Sequence, residues 1–293
     1  MKKYVCGIML LLSVFVARGM QEGGNLQANS VIEAADKQHD EFRDYEDSAP
    51  DSVREFYSTN HRNQTYNFVE HKIKEYCSLN HARMSVWDAI KALDSIVDES
   101  DPDLQAAQSV HAFQTAQALR RDGCPRWLIL TGFIHDLGKV LILFGEPQWA
   151  VVGDTFPVGC AYSDKVVYPY FFADNPDINN ELFQTQYGIY EPHCGLENVR
   201  MSWGHDEYLY QVMKDYLPQE ALYVIRYHSF YAAHKEGAYD YLMNEYDKQM
   251  MPLVHLFSQY DLYSKSTEEM NVDDIMPYYQ ELVAEFLPDI LNW

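Results

Sequence analysis

The sequence predicts an all-α chain: one helical bundle with a long irregular region and few or no strands. Three observations carry that prediction. Apolar residues recur three and four positions apart through most of the chain. Several of these runs open on a capping residue or close on Gly and Pro. Strand-like pieces are short and scarce.

The elements follow in order. Residues 66–76 place Phe68, Val69, Ile73 and Tyr76 on one side. Ser85 caps a run through Val86, Ala89, Ile90, Leu93 and Ile96. A third helix covers 109–121, and Gly123 followed by Pro125 stops it. Residues 127–134 continue as an apolar helix that ends at His135-Asp136. The stretch 147–180 is rich in Gly, Pro, Asp and aromatics, with Val151-Val152 and Val166-Val167 as its strand-like pieces. It reads as a long functional loop. Helical periods return at 204–216, 219–233 and 247–265, followed by a C-terminal helix over 277–286.

The N-terminus stands apart. Lys2 and Lys3 precede an apolar run over 5–16, with Ala17-Arg18-Gly19 at cleavage distance, which is the layout of a secretory signal peptide at 1–19. Residues 20–41 form a polar leader poor in large apolar side chains, expected to be disordered. Residues 42–293 read as one domain. Of five cysteines, Cys6 falls in the signal-like segment; Cys77, Cys124, Cys160 and Cys194 form no C-x-x-C and read as isolated thiols.

With 22 Lys and Arg against 44 Asp and Glu, the formal charge is −22. This balance works against nucleic acid, which needs clustered cations, and against an anionic membrane surface. The expectation is a monomer without a stable membrane partner, acting on a small neutral or cationic molecule.

His135-Asp136 is the first chemical signal. Neighbouring side chains on a regular helix diverge by about 100°, so this pair converges on a metal most easily at a helix end, where the carboxylate is free to bridge. His111 lies on the preceding helix among small residues, and Asp261 on a late helix in an apolar setting where an unpaired carboxylate is costly. His, His-Asp, Asp is the ligand order of the helical HD superfamily, so the bundle is expected to be HD-domain-like. His205 and His228 stand in helical contexts between them. Four His and two Asp suit two ions sharing one carboxylate, and imidazole with carboxylate favours iron, manganese or zinc over magnesium or calcium. His39, His61, His71, His81, His193, His234 and His255 read as surface or core residues, with His193 and His234 as candidates for an outer layer around the ligands.

From about Phe42 to Trp293 the chain is similar to the myo-inositol oxygenase family. The resemblance rests on Val97-Asp98-Glu99-Ser100-Asp101-Pro102-Asp103, His111-Ala112-Phe113-Gln114-Thr115-Ala116, His135-Asp136-Leu137-Gly138-Lys139-Val140, Trp203-Gly204-His205-Asp206-Glu207-Tyr208 and Tyr260-Asp261-Leu262-Tyr263-Ser264-Lys265. More specific are Gly145-Glu146-Pro147-Gln148-Trp149-Ala150-Val151-Val152-Gly153-Asp154-Thr155-Phe156 and Arg226-Tyr227-His228-Ser229-Phe230-Tyr231. The resemblance implies two irons per chain, working as Fe(II)/Fe(III), held by His111, His135, Asp136, His205, His228 and Asp261 with Asp136 bridging. It implies O2-dependent cleavage of myo-inositol to D-glucuronate. The implied substrate-binding residues are Arg43, Asp98, Glu99, Ser100, Lys139, Gly153, Asp154, His228, Ser229 and Lys265, with Lys139 also catalytic, assisting deprotonation of a hydroxyl or holding the alkoxide. A neutral polyol accounts for this mixture, because hydroxyls need donors and acceptors together while Asp98 and Asp154 would repel a phosphate. The family resemblance implies a cytoplasmic enzyme, whereas the N-terminal segment points to export.

The main alternative is an HD-type metal-dependent phosphohydrolase with the same ligands and a metal-activated water. The scarcity of Arg near the motifs, where only Arg226 is close, weighs against it. A catalytically dead binding module is the other; the presence of all six ligands and Lys139 weighs against that.

Overall fold

The computed structural model describes residues 50–96, 98–100, 107–263 and 271–293. The signal-like segment, the leader, Arg43 and Lys265 lie outside the described residues.

Helices dominate as expected. They are α1 (Asp51–Asn63), α2 (Tyr66–Tyr76), α3 (Val86–Leu93), α4 (Gln108–Arg121), α5 (Arg126–Ile134), α6 (His205–Met213), α7 (Gln219–Tyr227), the single turn α8 (Tyr231–His234), α9 (Glu245–Tyr263) and α10 (Val272–Phe286). Local chemistry sets several boundaries. Ser85 accepts the Asp88 amide while the Asp88 carboxylate accepts the Ser85 amide, a reciprocal cap that starts α3. After α4, Gly123 takes a positive φ of 70° that ends the helix.

α4 and α5 are joined by the short turn 122–125 and pack along each other. Phe113, Phe133 and Tyr279 form one aromatic cluster, with centroid separations of 4.9, 5.0 and 5.2 Å, that seats α10 on this pair. α6 packs on α7, and α9 crosses α4, α5 and α7. The 19-residue run Arg126–Phe144 is apolar enough to cross a membrane, yet 72% of its apolar window is buried inside the protein, so it serves as core.

The structure departs from the sequence expectations in particulars. α1, opening on Pro50, was not foreseen. Leu137–Phe144 forms a 3-10 helix directly after α5. The expected helix 219–233 breaks at His228 into α7 and α8. α10 begins five residues before Pro277, which sits inside it. The irregular region runs to residue 204 rather than 180, and Val151-Val152 and Val166-Val167 lie in turns. A two-stranded antiparallel pair, β1 (Arg83–Met84) with β2 (Leu291–Asn292), fastens the C-terminus beside α3, and Trp293 is fully buried there.

Candidate metal centre

His135 and Asp136 sit where α5 gives way to the 3-10 helix. The change of helical geometry lets two neighbouring side chains point the same way. His228 caps the C-terminal end of α7 in the same manner. His205 is the first residue of α6, His111 lies in the first turn of α4, and Asp261 is near the end of α9.

Helix ends also fix the rings. The last carbonyls of a helix lack intrahelical donors, and each end-capping histidine uses one. His135 Nδ1 donates to the Gly132 carbonyl at 2.9 Å and His228 Nδ1 to the Ile225 carbonyl at 2.8 Å, each three residues back. His205 Nδ1 donates to the Val151 carbonyl at 2.7 Å, and the same carbonyl accepts the His205 amide at 2.8 Å. A carbonyl only accepts, so Nδ1 carries a proton in all three rings, and in the neutral ring Nε2 is left as a lone pair. His111 differs: its buried Nδ1 has no hydrogen-bond partner.

These Nε2 atoms converge on Asp136 from two sides. On one side Asp136 Oδ2 lies 3.5 Å from His135 Nε2 and 3.8 Å from His111 Nε2. On the other, Oδ1 lies 3.4 Å from His205 Nε2 and 3.9 Å from His228 Nε2. Asp261 Oδ1 joins the first side, 2.8 Å from His111 and 3.2 Å from His135. His111, His135 and Asp136 form one group able to hold a metal ion, and Asp136, His205 and His228 form another.

The donor set fits metal. His205 Nε2 and His228 Nε2 face each other at 3.1 Å, two lone pairs that need a cation between them. Asp98, Asp206 and Asp261 are buried around the half-buried Asp136, and the buried Lys139 pairs with Asp98 and Asp136. Uncompensated charge there costs several kcal/mol, on the order expected for buried unpaired ions. Burial by itself would raise Asp136, but Lys139, then His135 and His205, hold it well below the usual carboxylate range. Burial would likewise lower His135, yet Asp136 and Asp261 outweigh it and the ring is raised.

Lys139 Nζ donates to Asp98 Oδ2 at 2.9 Å, Asp136 Oδ2 at 3.0 Å and Gln108 Oε1 at 3.2 Å. Those three acceptors match the three N–H groups of an ammonium. Burial opposes the charge, but Asp136 and Asp98 overcome it and raise the lysine. Gly138 makes this placement possible, since a Cβ there would run into the His205 backbone carbonyl.

Among the expected substrate-binding residues, Asp98 accepts the amide of Ser100 at 2.9 Å and its hydroxyl at 2.6 Å, so both sit at the lysine. Glu99 is exposed, its amide donating to Gln148 Oε1. Gly153 adopts φ 96° against the Phe56 ring, and Asp154 accepts from Tyr57 Oη at 3.2 Å. The Ser229 carbonyl accepts the Thr155 amide at 2.9 Å, tying this segment to the end of α7.

Two neighbours were not singled out from the sequence, Gln108 and Asp206. Asp206 was visible only as the residue after His205. Of the remaining histidines, His61 is core, stacked on Phe172 at 4.1 Å. His71 is exposed beside Glu75. His234 Nε2 bonds the His228 carbonyl at 3.0 Å, and His193 Nδ1 bonds the Met243 carbonyl. Cys77, Cys124, Cys160 and Cys194 are free thiols.

The family profile for myo-inositol oxygenase matches residues 50–293. The chain is 50% identical over 263 residues to inositol oxygenase 5 of Arabidopsis thaliana, covering 86% of this chain and 84% of that one. Against inositol oxygenase of Bos taurus it is 50% identical over 274 residues, 91% of this chain and 95% of the relative. For inositol oxygenase of Danio rerio the figures are 48% over 267 residues, 89% and 96%. Two histidine groups sharing one carboxylate, in a chain matched along nearly all of its described length, lead to one conclusion: the chain belongs to the myo-inositol oxygenase family.

Proposed function

We propose that this chain is an inositol oxygenase that opens the ring of myo-inositol with O2 and releases D-glucuronate, using two iron ions on either side of Asp136. The observation that supports this reading best is the pair of triads meeting on Asp136, in a chain half identical to inositol oxygenases over most of both lengths. One ion would be held by His111, His135, Asp136 and Asp261, the other by Asp136, His205 and His228. When bound, the irons would supply Lewis acidity to two adjacent hydroxyls and a redox centre through which the substrate's electrons pass to O2. The C1–C6 bond breaks with a four-electron oxidation, one oxygen atom entering the new carboxylate and the other leaving as water.

The chain's own residues bind and orient the polyol. Lys139 reaches the ligand carboxylate and Asp98 together, and Gln108 is its longest contact. A substrate oxygen replacing Gln108 receives the third N–H, so the ammonium holds an alkoxide without leaving its two carboxylates. Asp98 and Asp154 offer acceptors to hydroxyls, and Ser100 and Ser229, whose own O–H groups go to Asp98 and Asp206, offer hydroxyl lone pairs.

The test is an oxygen electrode trace on the full chain loaded anaerobically with Fe(II). One O2 consumed per glucuronate formed is expected on adding myo-inositol. Phosphate release from a nucleotide or phosphodiester with no O2 uptake would instead establish the phosphohydrolase.

A further inference from the structure

We propose that Asp206 is a positioning residue for the second metal position, orienting His228 and strengthening it as a ligand; this rests on the two-ion reading above. Asp206 is 1% exposed. Its Oδ1 lies 2.8 Å from His228 Nδ1 and accepts the Ser229 hydroxyl at 3.1 Å. The same oxygen lies 3.4 Å from His205 Nε2. Oδ2 is buried and has no hydrogen-bond partner.

The contrast with the other rings carries the inference. His135 and His205 are steered through Nδ1 by carbonyls, and His111 Nδ1 is unpartnered. The Nδ1–H of His228 goes to the Ile225 carbonyl at 2.8 Å, and a carboxylate oxygen of Asp206 also stands 2.8 Å from the same nitrogen. A carboxylate at Nδ1 draws the proton away from the ring, makes Nε2 a better donor, and prevents the ring from turning. The gain falls where it is needed. The His111 position has four ligand side chains, whereas the His205–His228 position has three and depends more on each.

Asp206 itself also calls for an ion. Its buried Oδ1 is met by His205, His228 and the Ser229 hydroxyl, while Lys139 reaches Asp98 and Asp136 instead. Both rings are neutral once Nδ1 serves a carbonyl and Nε2 serves a metal. The charge that compensates Asp206 is then the ion on the far side of His228. Asp206 and the second ion therefore stabilise each other across one imidazole.

The experiment compares wild-type full chain, Asp206→Asn and Asp206→Ala, each stripped of metal and titrated with Mn(II), with free Mn(II) counted by its paramagnetic resonance signal. Asp206→Asn keeps the shape and removes the charge. Expected are two ions in wild type, and in Asp206→Asn an unchanged first ion with a second bound about 10- to 100-fold more weakly. The metal-free variant should melt with wild type, and Asp206→Ala should lose the second ion altogether. Equal affinity for the second ion in Asp206→Asn overturns the proposal. So does a metal-free Asp206→Asn that melts more than about 3 °C below wild type, a clear loss for a domain of this size, because the role is then structural. Uptake of one ion by wild type overturns the two-ion reading separately; Asp206 is then judged on that ion, and unchanged affinity in Asp206→Asn sinks it.

Discussion

Lys139 spends a buried charge on three contacts that arrive from different parts of the chain. Asp136 is its helical neighbour, while Gln108 and Asp98 are 31 and 41 residues away. The sequence reveals the lysine beside the His-Asp pair but not the partners that aim it, because those depend on how α4 and the segment after α3 close over α5. Lys139→Met keeps the aliphatic stem and removes the donors. The expected result is a kcat lower by about 10²- to 10³-fold, the size of losing one oriented donor to a developing oxyanion, with metal content unchanged by elemental analysis. Wild-type kcat in that variant would rule out the assigned role. Asp206 teaches the same lesson: adjacency to His205 is visible in the sequence, but the turn that lays its carboxylate on His228 is not.

Among the elements, the readable ones carry explicit punctuation. Ser85 with Asp88 marks the start of α3, and Gly123 marks the end of α4. The unreadable ones have signals that compete. Pro277 is a favourable first residue for a helix, yet α10 starts at Val272 with Asp273 and Asp274 in its first turn and takes the proline into its interior. The apolar period of α7 continues past residue 228, yet the helix stops there because the His228 ring takes a terminal carbonyl of its own helix. The 3-10 helix after α5 is legible only through Gly138, where the backbone of His205 leaves no room for a side chain. Gly138→Ala forces the 3-10 helix and α6 apart. The expected cost is about 3 kcal/mol or more, the upper range for overpacking because the clash is with backbone, read from a denaturant melt of the metal-free chain. A loss under 0.5 kcal/mol, the usual size for a neutral substitution, would show that the two elements slide freely.

For the whole molecule, acid stability divides into two windows. Burial lowers His61 from 6.5 to about 4, with the Val167 carbonyl partly opposing. The unfolded chain takes up this proton near pH 6.5 and the folded chain does not, so stability is full above pH 6.5. It falls by about 3 kcal/mol as the pH drops to 4. Asp98, Asp136 and Asp261 are all lowered, chiefly by Lys139 or histidine partners against burial, so their contribution is present above the ordinary carboxylate range and lost below it. His135 and His228 are raised and act in the opposite direction in the metal-free chain. Comparing wild type with His61→Phe under the same metal conditions cancels both sets. The variant should show a flatter loss of melting temperature between pH 6.5 and 4 and the same slope below; identical slopes in the upper window would show that His61 is not the group responsible. None of this is visible in the formal charge of −22, which counts acids without saying which are buried.

The position of Asp261 in α9 has a consequence for how the chain is made. His205 and His228 are separated by 23 residues, His111 and Asp261 by 150. Closing the longer loop costs about 1.7 kcal/mol more in chain entropy. On a ribosome the disparity is sharper still, because five of the six proposed ligand side chains have been synthesised before α9 exists. The first metal position therefore stays one carboxylate short until translation is nearly over. A nascent chain that met a metal ion early would hold it with an open side, and α9, the last helix but one, is the one that closes it.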